Sequence, residues 1–114
     1  MPKLKRFKIQ IDTGRTGTGE PVFFTINNHK LPLEDTRGKV QPGETFEGGF
    51  EIGSFVHSLT LVGPETGKWD IRKVQLDFEC ENTDPYSIVL GEVTLDPETE
   101  LNIWREPPLP TWDV

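Results

Sequence analysis

The residues best suited to chemistry in this sequence are two histidines, His29 and His57, and the single cysteine, Cys80. They lie far apart and show none of the spacings by which cysteine and histidine hold zinc. His57 falls among apolar residues of a strand pattern, where a lone histidine is more often a hydrogen-bonded sheet residue than a catalytic base. Cys80 lies on the apolar side of its strand pattern, which favours a buried, inert thiol over a nucleophile. The sequence therefore predicts no catalytic residues, and an enzyme would need carboxylate pairs that only folding could assemble.

The glycine-rich stretch at residues 14–19 is the second candidate for chemistry. A phosphate-binding loop needs a lysine followed by Ser or Thr, and it needs a helix to follow. This stretch lacks that lysine and lies between two predicted strands. We therefore interpret it as a turn and predict no cofactor for it.

The proline-rich C-terminus is the sharpest short motif. Its prolines favour the extended polyproline II conformation, which suits docking into an aromatic groove such as that of a WW-type domain. Alternatively, the tail straps across the molecule and covers an open sheet edge or an apolar seam, which is the interpretation we favour. In both cases the predicted interaction residues are Pro107, Pro108, Leu109, Pro110 and Trp112.

Alternation of apolar and polar residues predicts the strands that must position any site. Residues 7–11 and 74–80 follow a period of two, as expected of strands with one face in the core and one in water. Residues 69–71 carry apolar side chains on the opposite parity. We therefore predict that the register changes at residues 72–73 through a bulge or a bend.

The whole chain reads as a single all-β domain. Short apolar-alternating segments are separated by Gly, Pro and Asn turns, and no segment carries helical periodicity, which predicts an antiparallel β-sandwich of about eight strands. Residues 55–61 are predicted to form one strand that includes His57, and Gly48-Gly49 is predicted to mark a bulge or a close backbone approach. We assign residues 1–104 to the sandwich and 105–114 to the proline-rich tail.

Composition limits the partners. The formal net charge is −7, which argues against nucleic acid, because phosphate backbones attract basic surfaces. No apolar run approaches membrane-spanning length and no signal peptide is visible, so we expect no integral membrane association and a cytoplasmic location.

The order of motifs resembles the PLAT (lipoxygenase-homology, LH2) domain. The resemblance spans roughly residues 7–104 and rests on the following segments: the alternating residues 7–11, the Thr13-Gly14 turn, the Gly17-Thr18-Gly19 loop, the strand at residues 22–26, Leu59-Thr60-Leu61, and Trp69 before Val74 and Leu76. Such a resemblance implies an eight-stranded sandwich that binds membrane lipids or a protein partner, sometimes with calcium. The family places an acidic residue after Gly-Thr, whereas here Gly19 stands there and Glu20 follows.

Calcium binding is implied only through this resemblance. Calcium takes six to eight oxygen ligands, and several of them are carboxylates on converging loops. The candidate ligands are Asp12, Glu20, Glu34 and Asp35. Nothing in their spacing brings them together, and solvated loop carboxylates are the alternative interpretation.

Together these patterns predict a non-catalytic binding module for a lipid or a protein partner, acting through its loops near Gly17 and the strand of Phe23 and Phe24. The alternative is an assembly protein that forms homo-oligomers through a sheet edge or the C-terminal tail. A wholly polar loop rim would count against membrane binding.

Overall fold

The computed structural model describes residues 3–20, 22–81 and 84–104. Among them there is no helix, and ten strands account for the regular structure: β1 Lys3–Thr13, β2 Phe23–Ile26, β3 His29–Pro32, β4 Glu34–Gly38, β5 Thr45–Phe55, β6 Leu59–Val62, β7 Trp69–Cys80, β8 Tyr86–Leu90, β9 Val93–Leu95 and β10 Glu100–Asn102. Consequently, no helix in the described part of the chain could cross a membrane.

The strands form two antiparallel sheets. Sheet A has the order β4-β5-β1-β7-β8, with β9 also pairing with β7, and sheet B has the order β10-β6-β2-β3. The apolar faces of the two sheets supply one continuous core, as expected of a sandwich. The predicted all-β sandwich is therefore confirmed, with two more strands than expected.

The long central strands β1 and β7 carry the alternation that the sequence shows. Val74 and Cys80 are buried, as are the apolar residues between them, whereas Asp77 is exposed. The pairing with β1 shifts between Asp12 and Thr13, so that the exposed Arg72 and Lys73 interrupt the alternation. The predicted register change at residues 72–73 is confirmed.

Aromatic side chains fill the centre of the core. Phe24 of sheet B contacts both Phe7 and Phe50 of sheet A edge to face, with ring centroids 5.1 Å apart in each case. Trp69 is 1% exposed, and its Nε1 donates to the buried Thr13 hydroxyl at 3.1 Å. This hydrogen bond satisfies the indole N–H of Trp69 and gives the buried Thr13 hydroxyl a partner.

The predicted strand at residues 55–61 is wrong, because the chain turns inside it. β5 ends at Phe55 and β6 begins at Leu59, while Val56 between them is fully buried. The Asn27 side chain makes the turn: its Nδ2 donates to the Phe55 carbonyl at 2.9 Å, and its Oδ1 accepts the backbone amide of His57 at 2.6 Å. His57 is therefore exposed in the connection and does not belong to a core-facing strand.

Cys80 is buried, as predicted. Burial raises the pKa of its thiol, although a hydrogen bond with the Tyr86 side chain opposes that shift. A buried thiol with a raised pKa is a poor nucleophile because the reactive form is the thiolate.

Candidate binding groove

An open groove of about 880 Å³ lies on the outer face of sheet A. We call it the sheet A groove. Its central row crosses four strands, because Gly49 of β5 lies between Glu34 of β4 and Lys8 of β1, and Lys8 faces Asp77 of β7. Side chains on this face point away from the core, so the groove is lined by the polar positions of the strand pattern.

Gly49 creates the depression. A Cβ atom built at this position would lie 2.8 Å from the Phe7 carbonyl oxygen, and the Lys8 Cγ atom would lie 3.6 Å from it. The two strand backbones therefore approach where no side chain intervenes, and a gap opens in the outer layer between Lys8 and Glu34. The close approach predicted for Gly48-Gly49 is confirmed.

An irregular edge strand forms one wall. The register between β4 and β5 shifts between Glu34 and Arg37, and Asp35 has a φ of 52°. A β-bulge of this kind bends the strand and re-aims its side chains. Arg37 then faces Glu47 at the next row of the groove.

The strands that form the floor of the groove pack on the aromatic core. Phe7 and Phe50 belong to the strands that form the floor, and both pack onto Phe24 of sheet B. Close-packed aromatic cores resist deformation. The groove is thus a preformed surface on rigid strands.

Charge dominates the lining, and all the charged side chains there are exposed. Carboxylates outnumber cations by five to three: Glu34, Asp35, Glu47, Glu51 and Asp77 against Arg6, Lys8 and Arg37. Moreover, the Arg6 Nε atom lies 3.0 Å from the Glu79 Oε2 atom, so one of the cations is already paired. The groove consequently favours a cationic ligand. None of the described residues that line it is a histidine or a cysteine.

The four predicted calcium ligands lie in three separate places. Asp12 accepts a hydrogen bond from the Thr45 hydroxyl at 2.8 Å, Glu20 lies in the glycine-rich loop, and Glu34 and Asp35 lie in the groove wall. Across residues 3–20, 22–81 and 84–104, no three His, Cys, Asp or Glu side chains are grouped so that they could hold a metal ion. The structure therefore does not bring these four carboxylates together.

The glycine-rich loop is fastened to its neighbours. Thr18 donates its backbone amide to the Val40 carbonyl at 2.9 Å, and Asp70 donates its own to the Thr16 carbonyl at 2.8 Å. The Asp70 side chain accepts the backbone amide of Arg15 at 3.3 Å and the hydroxyl of Thr94 at 3.0 Å. Residues 14–20 carry no apolar side chain larger than the threonine methyl, so this rim is polar, which counts against membrane insertion.

Glu20 acts as a clasp between two loops. Its Oε1 accepts the backbone amide of Glu65 at 2.7 Å, and its Oε2 accepts the backbone amide and the hydroxyl of Thr66, both at 3.1 Å. These hydrogen bonds lower the pKa of the Glu20 carboxyl, and the bond from the Glu65 amide has the largest effect. Hydrogen bonds to a carboxylate favour its charged form.

The Glu20 clasp predicts a specific pH dependence of stability. Since the folded state lowers the pKa of Glu20 below its ordinary value of 4.5, the charged carboxylate stabilises the fold above that value, and this contribution is lost as the pH falls through the folded-state pKa. Glu20→Gln should therefore lower the unfolding midpoint near pH 7, and its difference from the wild type should shrink towards pH 3. Thermal melts across this range test it, with Glu98→Gln as the charge-matched control. A difference that stays constant with pH would contradict the clasp.

The predicted interaction residues of the tail, Pro107, Pro108, Leu109, Pro110 and Trp112, lie outside the described residues. Sequence reasoning missed the groove residues Lys8, Glu47 and Glu51. The polar positions of β1 and β5 and the Gly48-Gly49 pair could indicate that these strands have a solvent-facing side. They could not indicate which side chains are neighbours on that side.

Comparison of the chain with protein-family models, with curated proteins and with solved structures yields no match. The resemblance to the PLAT domain therefore stays a prediction from sequence motifs. Inferences about function rest on the groove, the loops and the sheet edges.

Proposed function

We propose that this protein is a non-catalytic binding module whose sheet A groove holds a basic, extended segment of a protein partner. The observation that carries the proposal is the excess of exposed carboxylates around the gap above Gly49. Opposite charges across an interface speed association and select the partner. The net charge of −7 also favours a positively charged partner.

The dimensions of the groove suit a chain better than a compact small molecule. The groove crosses β4, β5, β1 and β7, so its lining presents charged side chains on neighbouring strands about 4.8 Å apart. An extended peptide carries side chains on one face at roughly 7 Å intervals. Lysines or arginines at alternate positions of such a peptide would reach carboxylates on more than one strand.

A lipid partner has less support. The glycine-rich loop is polar, and Phe55, which is 55% exposed, lies at the other end of β1, where it faces Lys3. Apolar and glycine-rich features thus do not converge on one rim that could enter a membrane. A cytoplasmic location belongs to the same proposal, and calcium binding stays a prediction drawn from the PLAT resemblance.

The proposal predicts that a basic peptide binds through the groove carboxylates. Isothermal titration of the full chain with octalysine should show binding that weakens with added salt, because exposed charges are screened. Replacing both Glu47 and Glu51 by lysine should weaken binding by about tenfold, since each exposed charge contributes up to about 1 kcal/mol.

The control is a second double variant, Glu65→Lys with Glu98→Lys. Both residues are exposed and lie outside the groove, so the variant changes the net charge equally without touching the lining. Equal weakening by the two variants would mean that octalysine responds only to overall charge, and the groove would lose its role as the site.

A further inference from the structure

The four edges of the two sheets differ sharply in how they are protected against pairing with another chain. The β4 edge carries charged side chains and a bulge at Asp35. The β3 edge contains Lys30 and Pro32, and the β10 edge is three residues long and includes Glu100. Charges, prolines, bulges and short lengths are the devices that keep sheet edges from adding strands.

β8 has none of these devices. It runs Tyr-Ser-Ile-Val-Leu from Tyr86 to Leu90, with neither a charge nor a proline, and its Tyr, Ile and Val are residue types that favour strands. Within the described residues, the only strand that β8 pairs with is β7. On the other side of β8, no described strand pairs with residues 87–90, so their backbone groups are those that an incoming strand would meet.

Apolar surface accompanies this edge. Val89 is 60% exposed, the largest exposed fraction among the large hydrophobic residues described. Ile88 and Leu90 are half-buried and pack against the margin of the core. A strand added beside β8 would extend sheet A and cover Val89 on one face and Ile88 and Leu90 on the other, because side chains alternate across a sheet.

Charge at the two ends of β8 indicates which strand would fit. Asp84 precedes β8, Glu92 follows it, and both are exposed. Symmetric antiparallel pairing of two copies about Ile88 would place Asp84 of one copy opposite Glu92 of the other, and like charges directly opposite each other are destabilising. A strand with cations at its ends would instead meet opposite charge at both.

We propose that β8 is a docking edge that accepts an extended segment of a partner protein, apolar in its centre and basic at both ends. Main-chain hydrogen bonds to β8 would supply affinity, and the apolar centre together with the basic ends would supply specificity. This edge adjoins the sheet A groove, because Ser87 donates its hydroxyl to Asp77 of the groove lining. Its use does not depend on the groove binding a ligand.

The test uses the full chain labelled with ¹⁵N and a peptide with two lysines at each end and Val-Thr-Ile-Thr-Val between them. Its addition should shift the amide resonances of residues 87–90. Val89→Lys should weaken this binding by about tenfold, since a lysine on an edge strand opposes pairing and here also repels the basic peptide. Gln75→Lys is the control, because it places the same charge on the neighbouring strand β7, directly beside Val89, without altering the edge. It should change the affinity by less than about threefold.

Three results would overturn the proposal. Shifts confined to groove residues such as Lys8 and Glu47 would place the peptide in the other site. A dimer of the free protein that Val89→Lys dissociates would identify a second copy as the occupant. Amides of residues 87–90 that are all protected from hydrogen exchange in the free monomer would show that the chain itself covers the edge. The Glu47→Lys and Glu51→Lys variant should leave β8 binding intact, so failure at one site is distinguishable from failure at the other.

Discussion

Replacing Trp69 by alanine is expected to lower the free energy of unfolding by about 3–5 kcal/mol. The side chain is 1% exposed at the start of β7, so its removal leaves a cavity that close-packed neighbours refill only partly. The change also removes the Nε1 donor from the Thr13 hydroxyl, which is 1% exposed. A buried polar group that loses its partner adds a desolvation cost.

Chemical denaturation of the variant measures this loss directly. Val89→Ala is the control, because Val89 is 60% exposed and such surface changes usually stay within about 0.5 kcal/mol. If Trp69→Ala and Val89→Ala cost about the same, Trp69 would not anchor the junction of β1 and β7.

Replacing Gly17 by alanine is expected to cost about 1–3 kcal/mol, although only one methyl group is added. A Cβ atom at Gly17 would lie 2.2 Å from the Val40 carbonyl oxygen and 2.8 Å from the Gln41 Cα atom. Both neighbours are backbone atoms, so the loop itself must move. The Thr18 amide would then be drawn from the Val40 carbonyl that it meets at 2.9 Å.

The same loop supplies a matched control in Gly19. A Cβ atom there would meet nothing within 4 Å, and neither glycine has a backbone in the left-handed region. Gly19→Ala should therefore be neutral or stabilise the protein by up to about 1 kcal/mol, because alanine restricts the unfolded chain. Thermal or chemical unfolding of the pair decides the matter, and equal effects at the two positions would refute the tight packing of the loop against Val40 and Gln41.

Most of the fold could be predicted from the local alternation of apolar and polar residues. β1 and β7 alternate in sequence because one face of each strand contacts the core, and the exposed pair Arg72-Lys73 marks the register change. At residues 55–61 the alternation of apolar and polar residues predicted a single strand, which is wrong, because the alternation continues across a turn. The cause is the Asn27 side chain, which comes from a distant part of the chain and bonds the Phe55 carbonyl and the His57 amide where the chain turns.

The candidate site was much less accessible because it depends on pairing between strands. Lys8, Glu34, Gly49 and Asp77 become neighbours only through the order and register of β4, β5, β1 and β7. The role of an acidic residue was also ambiguous from sequence alone. Glu20 has a carboxylate that could bind a metal, but its oxygens accept hydrogen bonds from Glu65 and Thr66. Loop carboxylates can serve as backbone caps or as ligands, and only their surroundings distinguish the two roles.

The most direct test of the groove is to map octalysine onto the full chain by the amide resonances of the ¹⁵N-labelled protein. We predict shifts at Lys8, Glu47 and Gly49, which line the groove. When Glu47 and Glu51 are both replaced by lysine, the shifts at Lys8 and Gly49 should need about tenfold more octalysine. Shifts spread evenly over acidic residues outside the groove, such as Glu65 and Glu98, or the absence of any shift would contradict the proposed binding role of sheet A.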